Sequence, residues 1–198
     1  MNTATHIAKG IPPAGAGGQV ATLIQQVLEA FDAGSPDGAP ERIAAALAAA
    51  PPVELPFAYR RPGVQKYARH LIHRDLERDL VVIAMVWSPG QGTPVHDHGG
   101  YWCIEQVLAG RLDSDIYHCV EDRADGATRL RWAEHDAQEQ GAIAVLRPPV
   151  DHHAVRNLGA ETALTLNIYG GELKRCKIFL PVEGDWYRSE ERQLSYDD

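Results

Sequence analysis

The chain has 198 residues, of which 44% are hydrophobic, and its formal net charge is −8 at pH 7. This length fits one domain around one substantial core, and no apolar run approaches the roughly 18 residues that a transmembrane helix needs. The acidic charge and the lack of a Lys/Arg block argue against nucleic acid or a membrane surface as a partner, and no pattern indicates an oligomeric state.

The first 18 residues are rich in Gly, Ala and Pro and predict a loose arm. They lack the charged start and apolar middle of a signal peptide, so we expect a cytoplasmic location. Three cysteines in a chain of this length do not suggest a disulfide framework, and no CxxC pair indicates structural zinc. Two of these cysteines, Cys119 and Cys176, are expected in the core.

Two helices are predicted ahead of the main body of the domain. Residues 20–31 place apolar side chains at helical spacing, which predicts an amphipathic helix that packs against the rest of the fold. Pro40 precedes a second predicted helix over residues 41–50, which a Pro-Pro pair ends. The segment 59–71 fits either a third short helix or an extended approach to the next element.

From residue 79 onward the chain consists of short runs with strand character, separated by Gly, Pro, Asn or Asp. Regular short strands with turn signals favour a β-sandwich or β-barrel. The predicted fold is mainly β, with a barrel over residues 79–185 after an N-terminal arm and helices in residues 1–78. Residues 186–198 are expected to form a C-terminal tail, so that residues 1–198 make one domain.

The stretch HDHGGYWC begins with two histidines that are two residues apart, His96 and His98. Alternate side chains of a strand lie on the same face, so these two imidazoles point the same way and Asp97 points away as a surface or supporting group. A pair of histidines alone is a weak signal for a metal site. A third ligand must come from elsewhere in the chain.

The surroundings of the pair resemble the first motif of the cupin superfamily, G-(x)5-HxH-(x)3,4-E-(x)6-G. Gly90, His96, His98 and Gly110 match that motif, and Cys103 stands where the motif has glutamate. The resemblance implies a cupin fold, which is a jelly-roll-like β-barrel. It also implies that the two histidines face the barrel interior.

The second cupin motif ends in H-(x)3-N after a proline, and His153 and Asn157 fit this spacing behind Pro148. Val150 departs from the motif, which usually has glycine there. His152 competes for the position of third ligand, since neighbouring strand residues face opposite ways. The spacing to Asn157 favours His153.

The cysteine at the glutamate position makes the chain similar to the thiol dioxygenases of the cupin superfamily, above all cysteine dioxygenase. In that family a tyrosine late in the barrel can be thioether-linked to this cysteine, and Tyr169 matches that tyrosine while Cys103 matches its partner. A Tyr-x-Arg stretch before the first motif also agrees, as Tyr67 and Arg69. The resemblance extends over residues 67–179.

This resemblance implies an Fe(II) centre held by His96, His98 and His153, a metal assignment that rests on the family because zinc, nickel and manganese also accept three imidazoles. It implies that O2 adds both oxygen atoms to the sulfur of L-cysteine and forms cysteine sulfinate. The guanidinium of Arg69 suits a substrate carboxylate. The hydroxyl of Tyr169 is expected to face the open iron positions.

Other substrates and functions stay open. The same reaction on 3-mercaptopropionate or mercaptosuccinate is the nearest alternative, and the second carboxylate of mercaptosuccinate suits a second cation such as Arg175 or Arg156. A non-catalytic metal-binding cupin is an alternative of another class. A sugar-phosphate isomerase is disfavoured, because such cupins usually keep the motif glutamate and supply a cationic cluster.

One departure from the family concerns the neighbours of Tyr169. The family commonly has Ser-x-His-x-Tyr, and this chain has Thr165 and Asn167 at the serine and histidine positions. An amide can donate and accept a hydrogen bond but does not titrate as histidine does. Tyr101 and Trp102 are expected to line the pocket. Four histidines without a motif are expected at the surface: His70, His73, His118 and His135.

Overall fold

The computed structural model describes residues 17–197. The predicted N-terminal arm, residues 1–18, lies almost entirely outside the described residues. Two helices come first, α1 (Gly17–Asp32) and α2 (Ala39–Ala49), and short 3-10 turns lie at Pro36–Gly38 and Phe57–Tyr59. The segment after Phe57–Tyr59 is extended rather than helical, so the second of the two expectations for residues 59–71 holds.

Eleven strands follow, and they account for most of the remaining chain. Their bounds are β1 (Ala68–Asp75), β2 (Leu80–Trp87), β3 (Val95–His96), β4 (Cys103–Ala109), β5 (Arg111–Asp122), β6 (Ala127–Glu139), β7 (Ile143–Leu146), β8 (His152–Arg156), β9 (Ala163–Tyr169), β10 (Arg175–Glu183) and β11 (Trp186–Gln193).

The strands form two antiparallel sheets. The first has the order β1-β2-β9-β4-β7, and in the second the strands β10-β11-β6-β5-β8-β3 close into a ring through the pairing of β3 with β10. Strands that are distant in sequence are neighbours in both sheets, as β2 and β9 show. The prediction of a mainly β barrel preceded by helices is confirmed.

Strand β2 explains why the helices lie where they do. All eight of its residues are buried, because alternate side chains face two different cores. Val82 and Ala84 pack with the helices, in a cluster that includes Leu23 of α1 and Ile43 of α2. Residues on the other face of β2 line the barrel interior, in a cluster with residues of β9 and β10: Val81, Ile83, Met85 and Trp87.

The predicted limits of the barrel need correction at both ends. β1 (Ala68–Asp75) pairs with β2 along its length, so the sheet begins 11 residues before the predicted start at residue 79. β11 (Trp186–Gln193) pairs with β10 and β6, so the predicted tail of residues 186–198 is mostly a strand of the barrel. The sequence of β11 lacks the alternation of apolar and polar residues that indicates a strand, and it therefore resembles a polar tail. That residues 1–198 are a single domain stays a prediction.

The helices of the described part of the chain are α1 and α2, of 16 and 11 residues. Neither is long and apolar enough to cross a membrane.

Candidate metal centre and substrate cavity

The three predicted imidazole ligands meet inside the barrel. His96 ends β3, His98 lies in the turn that follows, and His153 is paired with His96 across β3 and β8. Their ring centroids are 4.6 Å (His96–His153), 5.0 Å (His98–His153) and 5.3 Å (His96–His98) apart. One nitrogen from each ring lies within 4.8 Å of the others, so the three side chains could hold one metal ion.

The contacts of His96 and His153 fix which nitrogen of each faces the centre. The Nδ1–H of His96 donates to the Pro94 carbonyl at 3.2 Å, which leaves the lone pair of Nε2 free. His153 Nδ1 lies 3.3 Å from the Ser114 hydroxyl, and its buried Nε2 has no hydrogen-bond partner within residues 17–197. An imidazole held at one nitrogen and unsatisfied at the other is typical of a metal ligand.

His98 is held by Asp151, which is buried and which the sequence did not single out. The Asp151 carboxylate accepts the backbone N–H of His98 at 3.1 Å, and the same oxygen lies 3.6 Å from His98 Nδ1. Burial alone would raise the pKa of Asp151, but the contacts with His98 outweigh burial and hold this pKa below its ordinary value. Asp151 is therefore an anion that orients the imidazole.

His152 and His153 have opposite surroundings, as expected for adjacent residues of a strand. The ring of His152 packs against Phe179 at a centroid distance of 5.0 Å, and its Nδ1 lies 3.8 Å from Asp151. His152 is not among the three residues whose nitrogens converge. The geometry therefore favours His153 as the third ligand.

The protonation of the centre suits a cation. Burial, with a contribution from neighbouring imidazoles, lowers the pKa of His96 to about 3 and holds the pKa of His153 well below its ordinary value. Both rings are therefore neutral at pH 7, which is the form that binds metal. The unsatisfied Nε2 of His153 and this neutral donor set fit a divalent metal ion.

Cys103 and Tyr169 lie directly opposite each other on β4 and β9. Both are buried, and each group affects the pKa of the other. Burial raises the pKa of each well above its ordinary value, so both groups are protonated at pH 7. The ring centroid of Tyr169 is 5.9 Å from that of His98, which brings the pair beside the three imidazoles.

A chain of buried hydrogen bonds lies on the same two strands as this pair. Asn167 donates to the Glu105 carboxylate at 2.7 Å and accepts from the Thr165 hydroxyl at 2.7 Å, and Trp87 donates to Thr165 at 3.2 Å. The second carboxylate oxygen of Glu105 lies 3.9 Å from His153 Nδ1. Glu105 therefore connects the Thr165–Asn167 pair to the metal centre.

Arg69, on β1, lines a cavity that also contains His96 of the metal centre. Its neighbour Ala68 faces the helices, so Arg69 faces the interior, where it is 4% exposed. The cavity is lined by Arg69, Tyr67 and Tyr169 together with His96 and other residues of both sheets. Tyr67 stacks on Trp87 with a centroid distance of 4.5 Å. The Arg69 side chain has no carboxylate partner within residues 17–197, so its charge is available to a ligand.

The chain after β11 secures Arg69 from outside. The Tyr196 ring lies 5.3 Å from the Arg69 guanidinium carbon, and the Ser195 carbonyl accepts a long hydrogen bond of 3.4 Å from it. Asp197 accepts the backbone N–H of Arg69 at 2.8 Å and donates its own N–H to the Arg69 carbonyl. Residues 194–197, here called the C-terminal strap, thus form part of the wall of the site.

Two expectations about cations and aromatic residues need correction. Arg156 and Arg175, named as possible second cations, pair with Asp115 and Glu191 and are absent from the lining of the cavity, which contains Arg192 instead. Tyr101 and Trp102 were also expected to line this cavity. They are packed in the cores on either side of the first sheet, since the strand containing Cys103 begins only after them.

Two further expectations about burial were wrong. His70, expected at the surface, is 3% exposed, because it lies on β1 between the carbonyl groups of Arg61 and Asp197. Cys119, expected in the core, is exposed near the end of β5, where that strand is paired with β6 but no longer with β8. Cys176 is buried, as expected, and lines the cavity.

The remaining motif residues shape the backbone around the site. Asn157 is buried and its amide donates to the carbonyls of Trp87 and Glu161 at 2.7 and 2.8 Å, which ties the end of β8 to the end of β2. Gly90 and Gly110 have φ values of +80° and +74°, which favour glycine. The glycines of the motif therefore permit the turns before and after the metal-binding segment.

Sequence reasoning missed Glu105, Asp151 and Arg192. Glu105 follows Cys103 by two residues on a strand, so the alternation of side chains could have placed it inside. Asp151 directly precedes the histidine pair of the second motif. Arg192 had no signal, because it belongs to a segment taken for a tail.

Comparison with known proteins identifies the family. Cysteine dioxygenase type 1 of Danio rerio is 22% identical over 115 residues, which are 58% of this chain and 56% of the relative, and the Homo sapiens protein is 22% identical over 122 residues, which are 61% and 59%. The chain thus matches a little over half the length of these curated relatives.

Among solved structures, the TT1209 protein from Thermus thermophilus has a TM-score of 0.44 at 22% identity, covering 56% of this chain and 89% of that one. A Klebsiella pneumoniae protein with a double-stranded β-helix domain has a TM-score of 0.42, also at 22% identity, covering 58% and 86%. The family described as Cysteine dioxygenase type I matches residues 42–180, which is well over half of the chain. The chain therefore belongs to the cysteine dioxygenase type I family.

Proposed function

We propose that this protein is an Fe(II)- and O2-dependent thiol dioxygenase that oxidises a small thiol carboxylate. L-cysteine, with cysteine sulfinate as product, is the substrate that family membership favours. The oxidation of 3-mercaptopropionate or mercaptosuccinate keeps the same chemistry and is the alternative. The cytoplasm is the proposed location.

One observation carries this proposal: the cavity that contains an arginine without a carboxylate partner among the described residues is also lined by one of the three clustered imidazoles. His96 lines the cavity and belongs to the group that could hold a metal ion, and Arg69 lines the same cavity without a carboxylate partner in residues 17–197. A thiol carboxylate has two groups that match this arrangement, a sulfur for the metal centre and a carboxylate for the guanidinium. A cupin that only stored metal would have no use for the arginine.

Held by three neutral ligands, an Fe(II) ion would supply open positions for a thiolate and for O2. The reaction transfers both atoms of O2 to sulfur, so that thiolate plus O2 gives sulfinate without another reductant. The sulfur is the four-electron donor. The protein's own contribution is to bind the carboxylate at Arg69 and Tyr67 and to hold the sulfur next to the imidazoles.

Tyr169 is proposed to hold its proton beside the reacting atoms. Burial raises the pKa of this phenol well above its usual value, so it acts as a hydrogen-bond donor at neutral pH. Its position directly opposite Cys103 on the neighbouring strand supports the further proposal of a thioether between the two side chains. Forming that bond removes two hydrogen atoms, with O2 as the oxidant, so the intact protein would be lighter by two hydrogen masses.

The alternative from another class is a non-catalytic cupin that binds metal or a ligand. It shares the three imidazoles but predicts no consumption of O2 with any thiol. The enclosed position of Arg69 and the Cys103–Tyr169 pair favour the enzyme, because neither is needed to bind a metal.

The test is O2 uptake by the reduced, Fe(II)-loaded protein with L-cysteine, 3-mercaptopropionate and mercaptosuccinate in parallel. We expect uptake with at least one thiol, at one O2 consumed per sulfinate formed. In Arg69→Gln we expect a large fall in kcat/KM that is due mainly to a higher Michaelis constant. Iron content is measured on the same samples. If iron-loaded protein consumes no O2 with any of the three thiols, the dioxygenase is excluded and the metal-binding cupin remains.

A further inference from the structure

Two guanidinium groups face the substrate cavity from opposite sheets. Arg69 comes from β1 of the first sheet, and Arg192 comes from β11 of the second. Both belong to the cavity wall together with Tyr67, Cys176 and Tyr169. Arg69 is buried, whereas Arg192 is exposed, so solvent reaches the part of the cavity wall that Arg192 forms.

Both cations act on the same two side chains of the wall. Burial raises the pKa of Tyr67 and raises that of Cys176 to about 11, and in both cases Arg69 and Arg192 oppose the rise. Coulombic effects of this kind decline with distance, so each guanidinium is near both groups. The cavity therefore has two positive charges near one another.

Arg192 has no partner for its charge within residues 17–197, although acidic residues outnumber basic ones in this chain by 27 to 19. The adjacent residue of β11 differs in this respect. Glu191 pairs with Arg175 at 3.7 Å, and Arg175 lies outside the cavity. Arg192 lines the cavity and is unpaired in the described residues, whereas Arg175 outside the cavity is paired. Arg192 is therefore placed to bind an anion from solution.

We infer that the cavity selects a thiol with two carboxylates, one bound by Arg69 and the other by Arg192. This inference rests on the proposed dioxygenase function and reverses its order of substrates. A monocarboxylic thiol would leave one guanidinium uncompensated. A second guanidinium would repel the ammonium group of L-cysteine, whereas it would attract the second carboxylate of mercaptosuccinate, which favours the dicarboxylic thiol over the amino acid.

The test compares Arg192→Gln with Arg175→Gln, a matched control on the neighbouring strand that removes an outward-facing charge. Binding of mercaptosuccinate and of 3-mercaptopropionate to the Fe(II)-loaded protein is measured by calorimetry without O2. We expect wild type to prefer mercaptosuccinate and Arg192→Gln to lose about tenfold in affinity for it, as suits one charge-assisted contact at a partly exposed site. The loss for 3-mercaptopropionate is smaller, and Arg175→Gln binds both thiols like wild type.

O2 uptake with the same thiols separates this inference from the proposed function. The expected result is the highest kcat/KM for mercaptosuccinate, with the loss in Arg192→Gln found mainly in KM. If L-cysteine is the best substrate, or if Arg192→Gln binds mercaptosuccinate as wild type does, the inference is overturned and the dioxygenase stands. If Arg192-dependent binding is found but no thiol consumes O2, the dioxygenase proposal fails and the dicarboxylate site remains.

Discussion

Asn167 occupies the place where thiol dioxygenases commonly have histidine, and its surroundings show what replaces that residue here. An amide cannot exchange a proton at neutral pH as an imidazole does. Its amide group instead donates to Glu105, which is 7% exposed and whose pKa burial raises. A titratable group beside Tyr169 is therefore present on β4, where Glu105 is paired with Asn167 across the ladder.

Glu105→Leu should expose the importance of this contact. The substitution leaves the buried Asn167 amide without its acceptor, so we expect a loss of about 1–3 kcal/mol in the free energy of unfolding, measured with urea on the metal-free protein. Turnover should also fall, because Asn167 adjoins Cys103 and Tyr169. Glu105→Gln is the control, since its amide oxygen can still accept from Asn167. A Glu105→Leu protein as stable and active as Glu105→Gln would show that the hydrogen bond contributes nothing.

The two adjacent histidines of β8 give a second prediction. We expect His153→Ala to lose its bound metal, because it removes one of three ligands, whereas His152→Ala keeps the metal and loses only packing on Phe179. Metal content after gel filtration is the measurement, with circular dichroism to show that both variants are folded. Metal retained by His153→Ala and lost by His152→Ala would reverse the assignment.

At the scale of elements, the sequence predicted the helices and strands that have a periodic pattern of apolar residues. It did not predict the strands that form only because a neighbouring strand pairs with them. The stripe of α1 and the apolar run of β2 were recognisable, because burial against a single face or on both faces leaves a regular pattern. β1 and β11 were missed or taken for other elements. Both carry many charged residues, and they become strands because neighbours that are close only in the fold supply their hydrogen bonds.

The C-terminal strap shows why an element without a sequence pattern can matter for function. Residues 194–197 pack on Arg69 through the ring of Tyr196 and through two hydrogen bonds of Asp197, one from its carboxylate and one from its N–H, to the Arg69 backbone. The Tyr196 ring also lies 5.8 Å from the Arg74 guanidinium carbon. The strap therefore limits the positions that the Arg69 side chain can take.

Tyr196→Ala should weaken substrate binding more than turnover. Removing the ring frees Arg69, and a cation–π contact is worth roughly 0.5–2 kcal/mol, so we expect the Michaelis constant for the thiol to rise about two- to thirtyfold. Tyr196→Phe is a sharp control, because the buried Tyr196 hydroxyl has no hydrogen-bond partner within residues 17–197. Steady-state O2 uptake separates the two constants. Equal Michaelis constants for Tyr196→Ala and Tyr196→Phe would mean that the ring does not position Arg69.

At the scale of the whole molecule, the metal centre was more predictable than the cavity around it. His96, His98 and His153 lie in two short segments, and their positions depend on the local geometry of those segments. A sequence motif describes local geometry of this kind, so the three ligands could be predicted. The cavity wall combines residues from both sheets, including Arg192 of β11 in the second sheet. These residues come close to one another only when the ring of the second sheet closes. Arg192 shows this limit, because its role depends on Arg69, which is more than a hundred residues away in the chain.

The buried imidazoles also make the stability of the whole metal-free protein depend on pH. In the unfolded chain histidine titrates near 6.5, whereas the pKa of His96 is lowered to about 3 and that of His153 lies well below its ordinary value. Between these values the unfolded chain binds more protons than the folded protein. The contribution of these two imidazoles to the free energy of unfolding is therefore nearly constant above pH 6.5 and falls as the pH decreases below it.

We therefore expect His96 alone to cost about 2 kcal/mol at pH 5 relative to pH 7.5, a range in which most carboxylates remain charged. Urea unfolding of the metal-free protein at several pH values measures this loss. The double variant His96→Asn, His153→Asn lacks both titrating groups and should show a flatter dependence. An identical slope in wild type and double variant would assign the acid sensitivity to other groups. A bound metal should steepen the loss, because protons then compete with the metal for the same nitrogens.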